Sequence, residues 1–359
     1  MTKKSIEFLT EYVGTPSPSG YEVLLGGQKV WINYVKEFAT SVEIDNYGNA
    51  YAHYINVDKP SLPMFKVLLD AHCDEIGFFV FDITKTGFIK IGRLGGSDIT
   101  IAPSSRVDVW GKKGKVSGVF GHPAIHVQED KFEAKVENMF VDIGVSSKKE
   151  VEKMGITVGT PITMSDGYME LGDYHCGRSL DDKIGGYITA QVLKYLHEHH
   201  IELPFDLVIV NAVQEEVGLF GAKMACEKEK PDVAIAIDVT HDTDSPAYNV
   251  AKQGSISAGK GVVIMSAPSI HKKVFDLLVD TAKDNKIPYQ LTASGGGSGT
   301  NADSYAYPHG IPTGLLKMGM RYMHTTVETV HKKDVESAIL LLVKLLQNPK
   351  LITSYKYEL

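Results

Sequence analysis

Residues 205–213 read FDLVIVNAV and residues 232–239 read DVAIAIDV. Each is a short, almost continuous apolar run rather than an alternation of apolar and polar positions. Strands of that kind are buried on both faces, the habit of parallel or mixed sheets covered by helices. FKVLLDA at 65–71 is a third such run, and 311–317 is expected to be another strand. Helical spacing of apolar residues surrounds them at 5–14, 24–38, 182–199, 268–284 and 333–347, and VGLFGAKMACEK starts a further helix. Strands alternating with helices predict an α/β domain whose sheet is flanked by helices.

Between these two halves the texture changes. From 76 to 170 short alternating segments recur, among them GFIKIG, SSRVDVWG, KGKVSGVFG and DGYMELG, punctuated by glycine. That pattern predicts a small β barrel or sandwich. Inside it, SSKKEVEKMG carries a serine N-cap and a glycine stop and is expected to form one short helix. The expected organisation is an α/β domain built from 1–75 and 171–359 with a β domain inserted at 76–170. SGGGSG at 294–299 is expected to be a flexible loop by composition.

Composition narrows the function. The 359 residues include 43% hydrophobic and 23% charged positions, an ordinary globular balance. Lysine and arginine total 37 against 44 acidic residues, for a net charge of −7, and no basic block occurs. Nucleic-acid binding is therefore disfavoured. The longest apolar run, ILLLVKLL near the C-terminus, is too short to cross a bilayer, and no signal peptide follows the first lysines. Three widely spaced cysteines without a CxxC pair argue against a cysteine zinc site and suit a reducing compartment. A cytoplasmic protein is expected.

The chemistry gathers beyond the apolar strands. The run at 65–71 leads into Asp70-Ala71-His72-Cys73-Asp74-Glu75, and the next is followed by Gln214-Glu215-Glu216. The third ends with Asp238, the fourth leads toward Tyr322-Met323-His324, and Asp181-Asp182 opens a helix. Open α/β sheets bind ligands outside the carboxyl ends of their strands, so five elements can deliver His, Asp or Glu to one rim. Two histidines and three carboxylates are enough for two divalent ions that share one bridging carboxylate. Such N/O ligands suit zinc, cobalt or manganese. Paired ions of this type make a shared water nucleophilic near neutral pH, and one further carboxylate must stay free as general base. Taken singly, each residue has a plainer reading: a strand-end histidine is ordinarily just hydrogen-bonded, an Asp pair caps a helix, and a Glu pair faces solvent.

The ordered set DAHCDEIGF, GRSLDDKIGG, QEEVGLFGA, IDVTHD and RYMHTTVE resembles the co-catalytic aminopeptidases of metallopeptidase family 42. These are the tetrahedral, glutamyl and deblocking aminopeptidases, some formerly labelled endoglucanases, and the resemblance runs through nearly the whole chain. It implies a zinc-exopeptidase-like mixed sheet with an inserted β-barrel or PDZ-like dimerisation domain. It implies His72, Asp181, Glu216, Asp238 and His324 as metal ligands, with Asp181 bridging and its peptide to Asp182 often cis. Glu215 would be the general base, and Asp74 would orient His72. Glu215 would take a proton from a metal-held water and return it to the leaving amine, releasing the N-terminal residue of a peptide. Family members form dimers, commonly assembled into dodecamers.

Three more positions follow from the resemblance. GVFGHPAIH matches a family segment through Pro123 and His126, although a structural turn is an equal reading for His126. Asn301 stands in SGGGSGTNADSY where the family writes Asp, which removes a charge. Arg321 matches the family's RYxH, its plain reading being a salt bridge. A related dipeptidase or deacylase, and a non-catalytic assembly protein, are the competing readings. An endoglucanase is disfavoured, because glycosidases ordinarily use two positioned carboxyls without a metal pair.

Overall fold

The computed structural model describes residues 2–55, 65–128, 132–246, 248–353 and 355–357. Its centre is a mixed sheet of eleven strands. The apolar runs form its core: Lys66–His72 lies between Asp206–Ala212 and Val233–His241, and all three are parallel. Thr313–Arg321 adds a further parallel neighbour beside Val233–His241. The shared register brings Ala212 level with His72 and Asp238 level with Lys317. Carboxyl ends therefore collect on one side, as the pattern of apolar strands predicts.

Helices cover the sheet. Leu180–Glu198 is buried along most of its length, and Lys332–Leu346 packs beside it with Leu341, Leu342 and Leu345 inward. Trp31, on the helix Gly27–Val35, is fully buried and donates its indole N–H to the Gly186 carbonyl at 2.9 Å. That bond meets the ring's single polar need in the core.

The middle of the chain forms a separate closed barrel of six antiparallel strands between Gly77 and Met164. Its own core holds Phe78, Ile91, Val107, Phe120 and Ile162. The short capped helix forms at Lys148–Lys153, with the Ser147 hydroxyl accepting from the Glu150 N–H.

Several boundaries differ from the sequence reading. The second helix is shorter, Gly27–Val35, because it starts after the left-handed Gly26. The helix expected from 268 starts only at Lys272, and the one within 217–228 runs Phe220–Glu229. The strand expected to end near Asp238 continues to His241, and the last core strand runs to Arg321. Strands Ser41–Ile44, Ala50–Tyr54, Tyr174–Gly177, Val262–Ser266, Tyr289–Ala293 and Glu328–His331 are additional. Glycine-rich 294–299 is tied down: Asp303 accepts from the Ser298 and Gly299 N–H groups and the Ser298 hydroxyl.

Candidate metal centre

His72 is the last residue of its strand and is buried. Asp181 lies at the start of Leu180–Glu198, where its own backbone and that of Asp182 are not helical and the peptide between them is cis. The Asp181 carboxylate reaches both histidines: Oδ1 is 3.3 Å from His72 Nε2, and Oδ2 is 3.3 Å from His324 Nε2. His72, Asp181 and Glu216 place ligand atoms within 4.8 Å of one another, as do His72, Glu215 and Asp238. His324 Nε2 is 3.6 Å from Glu216 Oε1. All five expected ligands and the expected base thus meet in one cluster, opening into a cavity of about 410 Å³.

Adjacent buried groups hold this cluster in place. The Glu215 and Glu216 N–H groups both donate to the Asp74 carboxylate, at 2.9 and 3.2 Å, and the Ser19 hydroxyl donates to it at 2.7 Å. The His72 ring faces the Asp74 carbonyl at 3.1 Å and its carboxylate at 3.4 Å. Asp74 lies two residues beyond the strand end, where it both faces the His72 ring and anchors the Glu pair. Glu328 accepts from the Asp181 N–H at 3.0 Å and the His324 N–H at 2.9 Å. Left-handed backbone at Ser179, Gln214, Leu219, Tyr322 and His324 concentrates strain around the centre.

Electrostatics follow from burial. Burial pushes the Glu215 carboxyl up to about 8, and Asp238, Asp74 and Asp181 reinforce the shift. Glu216 is raised by burial and by Asp181, and Asp238 by burial. Burial opposes the charge on Asp181, but hydrogen bonds from His324 and His72 outweigh it and hold that carboxyl low. For His72, burial is likewise outweighed, here by Glu215, Asp181 and Asp74, and the imidazole is held well above its usual range. Four carboxylates thus crowd two histidines in a buried site. Mixed N/O donors with excess negative charge fit divalent cations, which satisfy such groups when protein partners cannot.

The remaining expected residues lie elsewhere or act differently. Arg321 Nε donates to Asp242 at 2.6 Å and its guanidinium sits over the Tyr174 ring, which matches the plain reading. His126 is exposed on a short turn of 3₁₀ helix and does not line the cavity. Asn301 Nδ2 donates to Asp70 Oδ1 at 2.7 Å, and Tyr305 donates to Asp70 Oδ2 at 2.7 Å. A carboxylate at 301 would face the Asp70 carboxylate, so the amide supplies a proton donor that the family residue lacks. Glu22, which accepts from the Gln214 N–H at 3.1 Å, and Lys317 on the cavity wall escaped the sequence reading. Neither carries a spacing signal in sequence. A third histidine–acid group, Glu43, His53 and Glu229, lies outside this cluster, and its acids bind Lys228 and Lys66.

The fold and site together define an α/β protein with a candidate metal centre at the carboxyl rim of its mixed sheet and a barrel set into the chain. The profile of the M42 glutamyl aminopeptidase family matches residues 49–341. The lysyl aminopeptidase of Pyrococcus furiosus is 32% identical over 96% of this chain and 97% of its own. The TET aminopeptidase of a marine sediment archaeon of the Thaumarchaeota superposes with a TM-score of 0.89 at 28% identity, covering 96% of each chain. The TET1 peptidase of Pyrococcus horikoshii, which assembles into a tetrahedron or a large octahedral shell, gives 0.83 at 28%, covering 95% of this chain and 99% of its own. The chain belongs to the M42 family and is a peptidase of its aminopeptidase class. Among the described residues no helix is long and apolar enough to cross a membrane.

Proposed function

We propose that this chain is a two-metal aminopeptidase that removes the N-terminal residue of peptides with Glu215 as general base. The observation that carries the reading is the Asp181 carboxylate, one oxygen toward each histidine at 3.3 Å. His72 and Asp238 would hold one divalent ion, Glu216 and His324 the other, and Asp181 both. Zinc or cobalt suits these donors best, and manganese is compatible. Bound ions would polarise the scissile carbonyl and acidify water toward neutral pH.

Glu215 is left to handle the proton. It is buried, groups with His72 and Asp238, and its backbone is fixed by Asp74. It accepts a proton from the attacking water and delivers it to the departing amine. Asp74 sets the stance of Glu215 and Glu216 together, and Glu328 fixes the backbone of Asp181 and His324. The catalytic α/β domain would comprise 1–75 and 171–359, with 76–170 as the dimerisation domain. By analogy with the TET relatives, the enzyme would be a homo-oligomer of dimers, up to a dodecamer. Three buried free cysteines suit the reducing cytoplasm.

The test is hydrolysis of aminoacyl-p-nitroanilides of Leu, Lys, Glu and Asp with an N-acetylated control. Each is assayed as purified, after chelation, and after zinc, cobalt or manganese is restored. Activity lost on chelation, regained with metal and absent on the blocked substrate is expected. No hydrolysis of any free-amine substrate with two ions bound would overturn the reading in favour of a dipeptidase or deacylase.

A further inference from the structure

Glu22 is a buried acid without a cation. It is 1% exposed, and among the described residues it forms no ion pair. Glutamates sequestered this far are normally paired, because their charge is costly to desolvate. Burial, with Asp74 near it, pushes the carboxyl up to about 8, so the fold suppresses its charge and keeps its oxygens. Backbone N–H groups surround it instead, and one comes from across the fold: the Gln214 N–H donates to Glu22 Oε1 at 3.1 Å. Gln214 has a φ of +54°, which residues with a side chain rarely adopt. Three consecutive N–H groups, those of Gln214, Glu215 and Glu216, therefore point onto two acids, Glu22 and Asp74. A run of amides through a left-handed residue makes a concave donor set of this kind. The carbonyls of the same loop turn inward, that of Gln214 to the Phe220 N–H and that of Glu215 to Gly218 and Leu219.

The chain brings Glu22 there on a segment laid along residues 73–75. The Ser17 N–H donates to Glu75 Oε1 at 2.7 Å, and its hydroxyl donates to the Cys73 carbonyl at 2.6 Å. The Glu75 N–H donates back to the Ser17 carbonyl at 3.0 Å, and the Ser19 hydroxyl reaches Asp74. One segment thus supports Asp74 and presents Glu22.

We propose that Glu22 is a positioning residue whose carboxyl oxygen keeps Gln214 left-handed and so turns Glu215 and Glu216 into the metal centre. This rests on the two-metal aminopeptidase reading above. Glu22 does not line the cavity and acts only through the backbone of Gln214. Without its oxygen Gln214 relaxes toward negative φ, and Asp74 alone cannot keep the base and the ligand in register.

The metal-loaded enzyme is compared with E22Q, E22M and E22M/Q214G. Glutamine keeps an acceptor oxygen, methionine keeps little but the volume, and glycine at 214 adopts a positive φ unaided. Rates are measured on Leu- and Glu-p-nitroanilide, and zinc is titrated calorimetrically into each apo-protein. E22M is expected to lower kcat about 10–100-fold with KM little changed, and to weaken one zinc site about tenfold, the usual effect of losing a group behind a metal ligand. E22Q should keep most of both, and E22M/Q214G should recover most of both. Native values in E22M, equal losses in E22Q and E22M, or no recovery with glycine would each overturn the proposal, since a residue that only fills space is not replaced by glycine elsewhere. Should E22M not fold, E22D, which draws the oxygen back by one methylene, takes its place with and without Q214G. Should the native enzyme hydrolyse neither substrate, the aminopeptidase reading fails separately, and the zinc titrations still decide. Weakening that Q214G reverses upholds the role of Glu22, and equal affinities refute it.

Discussion

Glu215, proposed as base, and Glu216, proposed as ligand, are neighbours that the backbone turns in different directions. Gln214 before them is left-handed, with its N–H held by Glu22, and Asp74 takes the next two N–H groups. Glu216 is thereby turned toward His324 and Glu215 toward His72 and Asp238. E215Q preserves shape and removes the base. It is expected to lower kcat about 10²–10⁴-fold, the usual worth of a general base, with two ions still bound by metal analysis. Loss of the ions in E215Q would recast Glu215 as a ligand. His175 offers a separate test, in stability. It is buried, with Nδ1 2.8 Å from Tyr168 Oη and Nε2 without a partner among the described residues, and burial, aided by Lys332, pushes it down to about 4. The unfolded chain takes up this proton below about 6.5, whereas the folded chain does so only near 4. Stability is thus fully present above that window and is lost as pH falls through it, with a limiting slope of about 1.4 kcal/mol per pH unit. Urea unfolding from pH 4 to 7 should show a shallower dependence in H175Q, and parallel curves would refute the assignment. The candidate cluster was legible because His72, Asp181, Glu215, Glu216, Asp238 and His324 form an ordered series at strand and helix ends. Glu22 was not, since its significance lies in the Gln214 N–H that the fold brings to it.

The elements read from sequence are those whose burial is symmetric. Lys66–His72, Asp206–Ala212 and Val233–His241 are buried almost throughout, which leaves an unbroken apolar run. Ser41–Ile44 and Tyr289–Ala293, at the margins of the sheet, are largely half-buried or exposed and carry no such run. Polar edges of this kind are indistinguishable from loops by pattern alone. The junction between barrel and sheet was equally hidden, and it bears on the metal centre. Gly96, just past the barrel strand Ile89–Leu94, lies so close to His324 that an added Cβ would stand 2.7 Å from Nδ1. Backbone at 96 therefore fixes the imidazole, and only glycine permits the approach. G96A is expected to displace His324 and weaken one of the two proposed ion sites. Calorimetric titration of the apo-protein with zinc or cobalt should show one site lost or weakened at least tenfold, about 1.4 kcal/mol, and the other kept. Two unchanged sites would mean that the barrel loop yields without disturbing the histidine.

At the scale of the whole molecule, the barrel's surface poses a question that one chain does not answer. Ile125 is 78% exposed and Val127 70%, both on the loop after Gly114–Phe120, with Val119 exposed near the end of that strand. Single exposed apolar residues are unremarkable, but several on one small domain mark a surface that association would bury. The sequence reading reached the barrel through its alternating pattern and assigned it to dimer contacts by resemblance. It could not tell inward from outward apolar positions in GHPAIHV, because so short a turn has no period. If the barrel carries the dimer contact, I125S/V127S should lower the mass measured by light scattering at fixed concentration. The thermal unfolding of the resulting smaller species should still be cooperative, since neither side chain belongs to the barrel core. The proposed metal centre draws its donors from outside the barrel loop, so the variant should also bind the two proposed ions. An unchanged mass would move the dimer contact off this loop. A reduced mass with the ions retained would separate assembly from chemistry and allow a direct trial of whether assembly restricts substrates. In that case the native assembly should cleave short peptides and spare a folded protein with a flexible N-terminus, whereas the dissociated variant should cleave both.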